Sequence, residues 1–106
     1  MTGNDQILSM IGLAARAGAV KSGEYSVEKA VKSGRGKLVI IASDASDNTK
    51  KMFSDMCRYY QVPIKIYGTK EDLGLRSGKA YRASICILDE GFAKSVINKI
   101  DLSMEV

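Results

Sequence analysis

Apolar residues recur at helical spacing at Ile7, Leu8, Ile11, Ala14 and Ala15, which predicts an amphipathic opening helix capped by Asn4 and ending near Arg16 and Gly18. Ala19 to Ser22 reads as a short edge strand. A second helix begins at Ser22 or Gly23, turns Val27, Ala30 and Val31 inward, and stops at Gly34 and Gly36. Leu38 to Ala42 then has no polar residue at all, the pattern of a strand covered on both faces and so central in its sheet. Asp47 or Asn48 is placed to cap a helix from Thr49 to Tyr60 with Met52, Phe53 and Met56 on its inner side, and Val62 and Pro63 separate it from a strand at Ile64 to Tyr67. Thr69 and Asp72 have capping-box spacing and open a short helix limited by Gly74 and Gly78. After a loop containing Lys79, Tyr81 and Arg82 come a strand at Ser84 to Leu88 and, beyond Asp89, a last helix with Phe92, Val96, Ile97 and Ile100 on one face. Helices and strands that alternate in this way predict an α/β protein, a three-layer α/β/α sandwich around a small mixed sheet of about four strands.

The chain has 106 residues, and no repeat, linker or low-complexity tract divides it, so residues 1–106 are expected to form a single domain. Histidine is absent, which removes the commonest neutral-pH general base, the Ser-His nucleophile pair and imidazole metal ligands. Cys57 and Cys86, the two cysteines, both fall in apolar stretches and read as reduced, buried thiols. Two cysteines without histidine do not complete a four-ligand zinc site, and neither a metal nor a cofactor is expected. No apolar run approaches the roughly 20 residues of a bilayer span, and the N-terminus lacks a secretory pattern, so a cytoplasmic location is expected.

Sixteen Lys and Arg against 12 Asp and Glu give a net charge of +4, a modest bias towards polyanions. Its distribution says more than its size. Arg16, Lys21, Lys29, Lys32, Arg35 and Lys37 crowd the first half, and Arg76, Lys79 and Arg82 the loop before the last strand. The stretch from Lys21 to Ser46 joins a basic, glycine-containing helix start to the core strand and a polar loop. If the fold brings the two basic regions together, Lys and Arg neutralise phosphates, the backbone amides at Gly23 offer further donors, and Tyr25 and Tyr81 stack on unpaired bases. Each piece also has a plain structural reading: lysines favour solvent, glycines end helices, and tyrosines pack at core margins. Asp44, just past the carboxyl end of the core strand, sits where α/β proteins place ligand-binding groups, but lacks an acidic neighbour for magnesium and equally suits a turn or cap. Gly34-Arg35-Gly36-Lys37 precedes a strand and lacks a following Ser or Thr, so it is no P-loop. Met52 and Met56, one turn apart, read as core filling.

The segment Gly23 to Ala42, the Leu73-Gly74 pair and the strand reached through Gly78 to Leu88 resemble the ribosomal protein family L-seven-A-e, which includes the L-thirty-e group. LSMIGLAARAGAVKSGEYSVEKAVKSGRGKLVIIASDASDNTKK and the later DEGFAK resemble its small bacterial YlxQ-type branch. The resemblance implies the α/β/α sandwich, no enzymatic activity, and binding of a kink-turn, a sharply bent RNA with tandem sheared G·A pairs. The surface it implies is the start of the second helix plus the loop before the last strand. The family's signature of Gly, a small residue, Asn, Glu, two variable positions and Lys falls on Gly23, Glu24, Tyr25, Ser26, Val27, Glu28 and Lys29. Gly23 and Lys29 match, whereas Tyr25 and Ser26 stand where Asn and Glu would read guanine edges. In the last loop, Lys79, Tyr81 and Arg82 replace the family's small apolar residues.

The expectation is therefore a non-enzymatic protein that binds structured RNA, ribosomal or another non-coding RNA, with no DNA specificity and no membrane partner. Its site comprises Gly23, Glu24, Tyr25, Ser26 and Lys29, supported by Lys21, Lys32, Arg35, Lys79, Tyr81 and Arg82. The alternative is a protein-interaction module serving the ribosome or transcription or translation factors, its kink-turn recognition lost. A nucleotide-binding enzyme centred on Asp44 is the third.

Overall fold

The apolar run Leu38–Ile41 is fully buried and forms the strand around which the fold is organised, as its lack of polar positions predicts. The structure is a computed structural model that describes residues 5–103. Four strands, β1 (Val20–Ser22), β2 (Leu38–Ile41), β3 (Ile64–Ile66) and β4 (Ser84–Ile87), lie in the order β1-β4-β2-β3. β2 runs parallel to β3 and antiparallel to β4, and β4 is antiparallel to β1, which makes the sheet mixed. Five helices cover it: α1 (Gln6–Arg16), α2 (Glu24–Lys32), α3 (Asp47–Tyr60), α4 (Lys70–Arg76) and α5 (Glu90–Ser103). α1 packs against α4 and α5, and α2 against α3, giving the α/β/α sandwich. Among the described residues no helix is long and apolar enough to cross a membrane.

Local chemistry sets the element bounds. Asp5 caps α1, its carboxylate accepting from Leu8 N at 2.9 Å, and its other oxygen accepts the Tyr67 hydroxyl at 2.6 Å. The expected cap, Asn4, lies outside the described residues. Ser46 rather than Asp47 or Asn48 caps α3, accepting from Thr49 N at 3.1 Å, so Asp47 falls in the first turn, where its charge suits the helix dipole. Thr69 and Asp72 complete the expected capping box of α4.

The inward residues of α2 are Val27, Ala30 and Val31. A nine-residue helix is marginal on its own. Val27 and Val31, each fully buried, contribute about 1.5–3 kcal/mol apiece and hold it on the sheet. On α3, Phe53 and Cys57 form the buried face, with Met52 and Met56 packed at its margin. Both cysteines are free and buried, and burial pushes each thiol up to about 11.

Candidate nucleic-acid interface

The two basic regions meet because β1 and β4 are neighbours. Ser22 pairs with Ile85, so the chain leaving β1 into α2 lies beside the chain arriving at β4. Gly23 N–H donates to Ser84 O at 3.0 Å across this junction. Gly23 holds φ 93° and ψ 154°, a conformation open to glycine and strained for other residues. A Cβ added there would sit 3.6 Å from Arg82 Nε, an ordinary contact, so the backbone conformation rather than the space selects glycine.

Arg82 is anchored rather than loose. Its backbone N–H donates to Lys70 O at 3.0 Å, its Nε to Ser22 Oγ at 3.2 Å and its Nη1 to Tyr81 O at 2.8 Å. Lys70 N–H in turn donates to Asp44 Oδ1 at 2.8 Å. Asp44 therefore binds the first turn of α4, the capping role open to it in the sequence, and in doing so steadies the strand of loop that carries Arg82. Gly74 supports the same loop from below. It is buried inside α4, and a Cβ on it would meet Ala80 O at 2.6 Å and Tyr81 Cα at 2.8 Å. The sequence reading gave Gly74 the task of limiting the helix; its place is instead the contact surface on which residues 80 and 81 lie.

The α2 N-terminus completes the junction. No side chain caps it, and the first intrahelical bond runs from Val27 N to Gly23 O. The amides of Glu24, Tyr25 and Ser26 thus point out of the helix end without helical acceptors, in the direction favourable to an anion.

Two depressions adjoin here. One, of about 350 Å³, is bounded by Lys21, Ser22, Ser26, Ser77, Lys79 and Arg82. The next, of about 400 Å³, runs along α2 past Lys21, Tyr25, Ser26, Lys29 and Arg35. Lys21 and Ser26 border both, and no carboxylate borders either. Among the described residues Lys21, Lys29, Arg35, Lys79 and Arg82 form no ion pair. Lys32 differs: it bridges Glu28 at 2.7 Å, and the Glu28 hydrogen bond and charge raise its pKa. It stands at the far end of α2 and borders neither depression. Glu24 and Tyr81 are exposed beside the junction without bordering either. Ser22 and Ser77 also border the smaller depression, and sequence reasoning did not place them in the candidate site. Ser22 precedes the glycine at which the helix begins, while Ser77 carries no local signal of its position.

A wider concavity, of about 590 Å³, lies at the opposite end of the sheet between the ends of α2 and α3 and the start of α5. Lys32, Tyr60, Pro63 and Lys94 line it, and Lys94 is paired with Glu90. Size alone does not make it the polyanion site, because its cations are partly neutralised.

The sequence matches the ribosomal protein L7Ae/L30e/S12e/Gadd45 family over residues 5–97. The chain belongs to this family. It is 42% identical over 92 residues to the RNA-binding protein YlxQ of Bacillus subtilis, covering 87% of this chain and 92% of that one. It is 33% identical over 100 residues to the large ribosomal subunit protein eL8 of Picrophilus torridus, covering 90% and 79%. Among solved structures, a protein with unknown function from Bacillus halodurans C superposes with a TM-score of 0.86 at 44% identity, over 90% of this chain and 96% of that one. The Giardia lamblia 15.5kD RNA binding protein, at 24% identity and a TM-score of 0.77 over 93% and 91%, shares the fold.

Proposed function

We propose that this protein is a non-enzymatic, cytoplasmic RNA-binding protein that grips structured RNA, ribosomal or otherwise non-coding, across the α2 N-terminus and the loop before β4. The observation that carries the reading is the pair of adjoining depressions free of carboxylates, joined at Lys21 and Ser26, on a fold whose relatives include named RNA-binding and ribosomal proteins. The arrangement holds phosphates by charge and backbone donors. It offers no Asn and Glu at positions 25 and 26 to read guanine edges, so affinity for a bent or irregular backbone exceeds selectivity for tandem G·A pairs.

Titration against a kink-turn RNA and a plain duplex at several salt concentrations tests this. Five phosphate contacts, from Lys21, Lys29, Arg35, Lys79 and Arg82, give a slope of log K against log salt of about −3.5 to −4.5. Lys29→Glu with Arg82→Glu flattens that slope. Absence of salt-dependent affinity for any structured RNA refutes the reading. The second reading, a protein-interaction module for transcription or translation factors, draws on the replaced base-reading positions and on the exposed Tyr59, packed edge-on against Tyr60. Partner capture from cells that survives the same double substitution, with no RNA recovered, would favour it.

A further inference from the structure

An exposed tyrosine is ordinary on a protein surface, but the setting of Tyr25 is not. Its side chain is 75% exposed on the first turn of α2. It forms a wall between two depressions: the carboxylate-free one along Lys21, Ser26 and Arg35, and another of about 460 Å³ bordered by Glu28, Lys29 and Lys32. Lys29 Nζ stands 5.9 Å from the ring centroid, within cation–π range and one turn along the helix. An aromatic face beside cations and open space is the composition of a base-stacking platform on single-stranded nucleic acid.

We infer that Tyr25 stacks an unpaired base of the bound RNA, with Lys29 steadying the ring and the adjacent phosphate held over Lys21 and Arg35. This rests on the RNA-binding reading and adds to it a substrate feature: a single-stranded or extruded nucleotide, recognised by its π-face with little regard to its identity. Tyr25 stands where the family signature has a base-edge reader, so contact to a base face takes the place of contact to a base edge. Lys21 borders both carboxylate-free depressions, which carries the phosphate path on from the stacked nucleotide towards Arg82.

The test uses the full chain with three probes: ten-nucleotide oligoadenosine, an abasic ribose-phosphate strand of the same length, and a kink-turn RNA. Tyr25→Ala should weaken oligoadenosine binding by about 5- to 150-fold, while Tyr25→Phe stays within about two-fold of the parent. The abasic strand keeps the charge and removes the bases, so Tyr25→Ala should leave its binding unchanged. An equal loss on both strands would mean that the ring only positions charges, and overturns the inference. So does unchanged oligoadenosine affinity in Tyr25→Ala. Kink-turn binding that Tyr25→Ala leaves unchanged, without oligoadenosine binding, overturns the stacking inference and leaves the RNA-binding reading standing. Failure of all three probes removes both.

Discussion

Gly12 and Gly74 are both buried glycines inside helices, and the structure assigns opposite outcomes to the same substitution at the two sites. Alanine favours a helix interior over glycine by about 1 kcal/mol, and that gain is common to both. At Gly12 the new methyl meets Arg16 Nη1 at 3.6 Å and Arg76 Cδ at 3.7 Å, ordinary contacts with flexible side chains. At Gly74 it meets Ala80 O at 2.6 Å and Ala80 C at 2.7 Å, backbone atoms that cannot rotate away. Overpacking of this kind costs about 1–3 kcal/mol, which outweighs the helix gain. Gly12→Ala is therefore expected to raise stability by up to about 1 kcal/mol and Gly74→Ala to lower it by up to about 2 kcal/mol, with each kcal/mol moving Tm by about 4–8 °C. Thermal and urea unfolding of the two variants beside the parent provide the comparison. A Gly74→Ala protein that melts at or above the parent would refute the claim that residues 80 and 81 rest on the glycine, and with it the account of how the Arg82 loop is placed.

Asp5→Ala removes both the α1 cap and the acceptor of the Tyr67 hydroxyl, and a loss of about 1–2 kcal/mol is expected in urea melts. If Tyr67→Phe abolishes most of that loss, the two bonds are coupled. Gln61 has φ 59° at the end of α3, so Gln61→Gly should stabilise the protein by roughly 1 kcal/mol, and an unchanged or lower Tm would contradict the strain. For Cys57 and Cys86, burial raises the folded-state pKa from 9.0 to about 11, so the stability these thiols lend is complete below pH 9 and lost as pH climbs towards 11. Unfolding measured across that window should show the decline, and iodoacetamide at pH 8 should label neither thiol before unfolding.

The order and type of elements were legible in the sequence because long apolar segments carry their own period. Leu38–Ile41 and the Val27, Ala30, Val31 stripe needed nothing beyond themselves to be placed. Caps were less so: Ser46, Asp47 and Asn48 all have capping side chains, and only the chain's path chooses Ser46. Charge spacing named the two basic regions but not their contact, which depends on β4 inserting beside β1, a pairing between segments more than 60 residues apart. Gly74 and Asp44 were assigned local duties because their partners, Ala80 and Lys70, are brought to them by the tertiary fold. The Glu28–Lys32 pair is different in kind, because the two residues are one helical turn apart and their spacing was open to reading in the sequence.

The strand order also has a temporal meaning. β4 lies between β1 and β2, and Ser84 is the acceptor that ties down Gly23, so the last strand synthesised is inserted between strands made earlier. A nascent chain that has emerged only through α3 owns α2 and its lysines but lacks Arg82, the loop and the neighbour of β1. Its basic residues then lie on an open, unpaired edge. Closure of this long-range pairing converts scattered charge into a shaped surface, which makes a competent binding face a late product of folding and ties it to completion of the sheet.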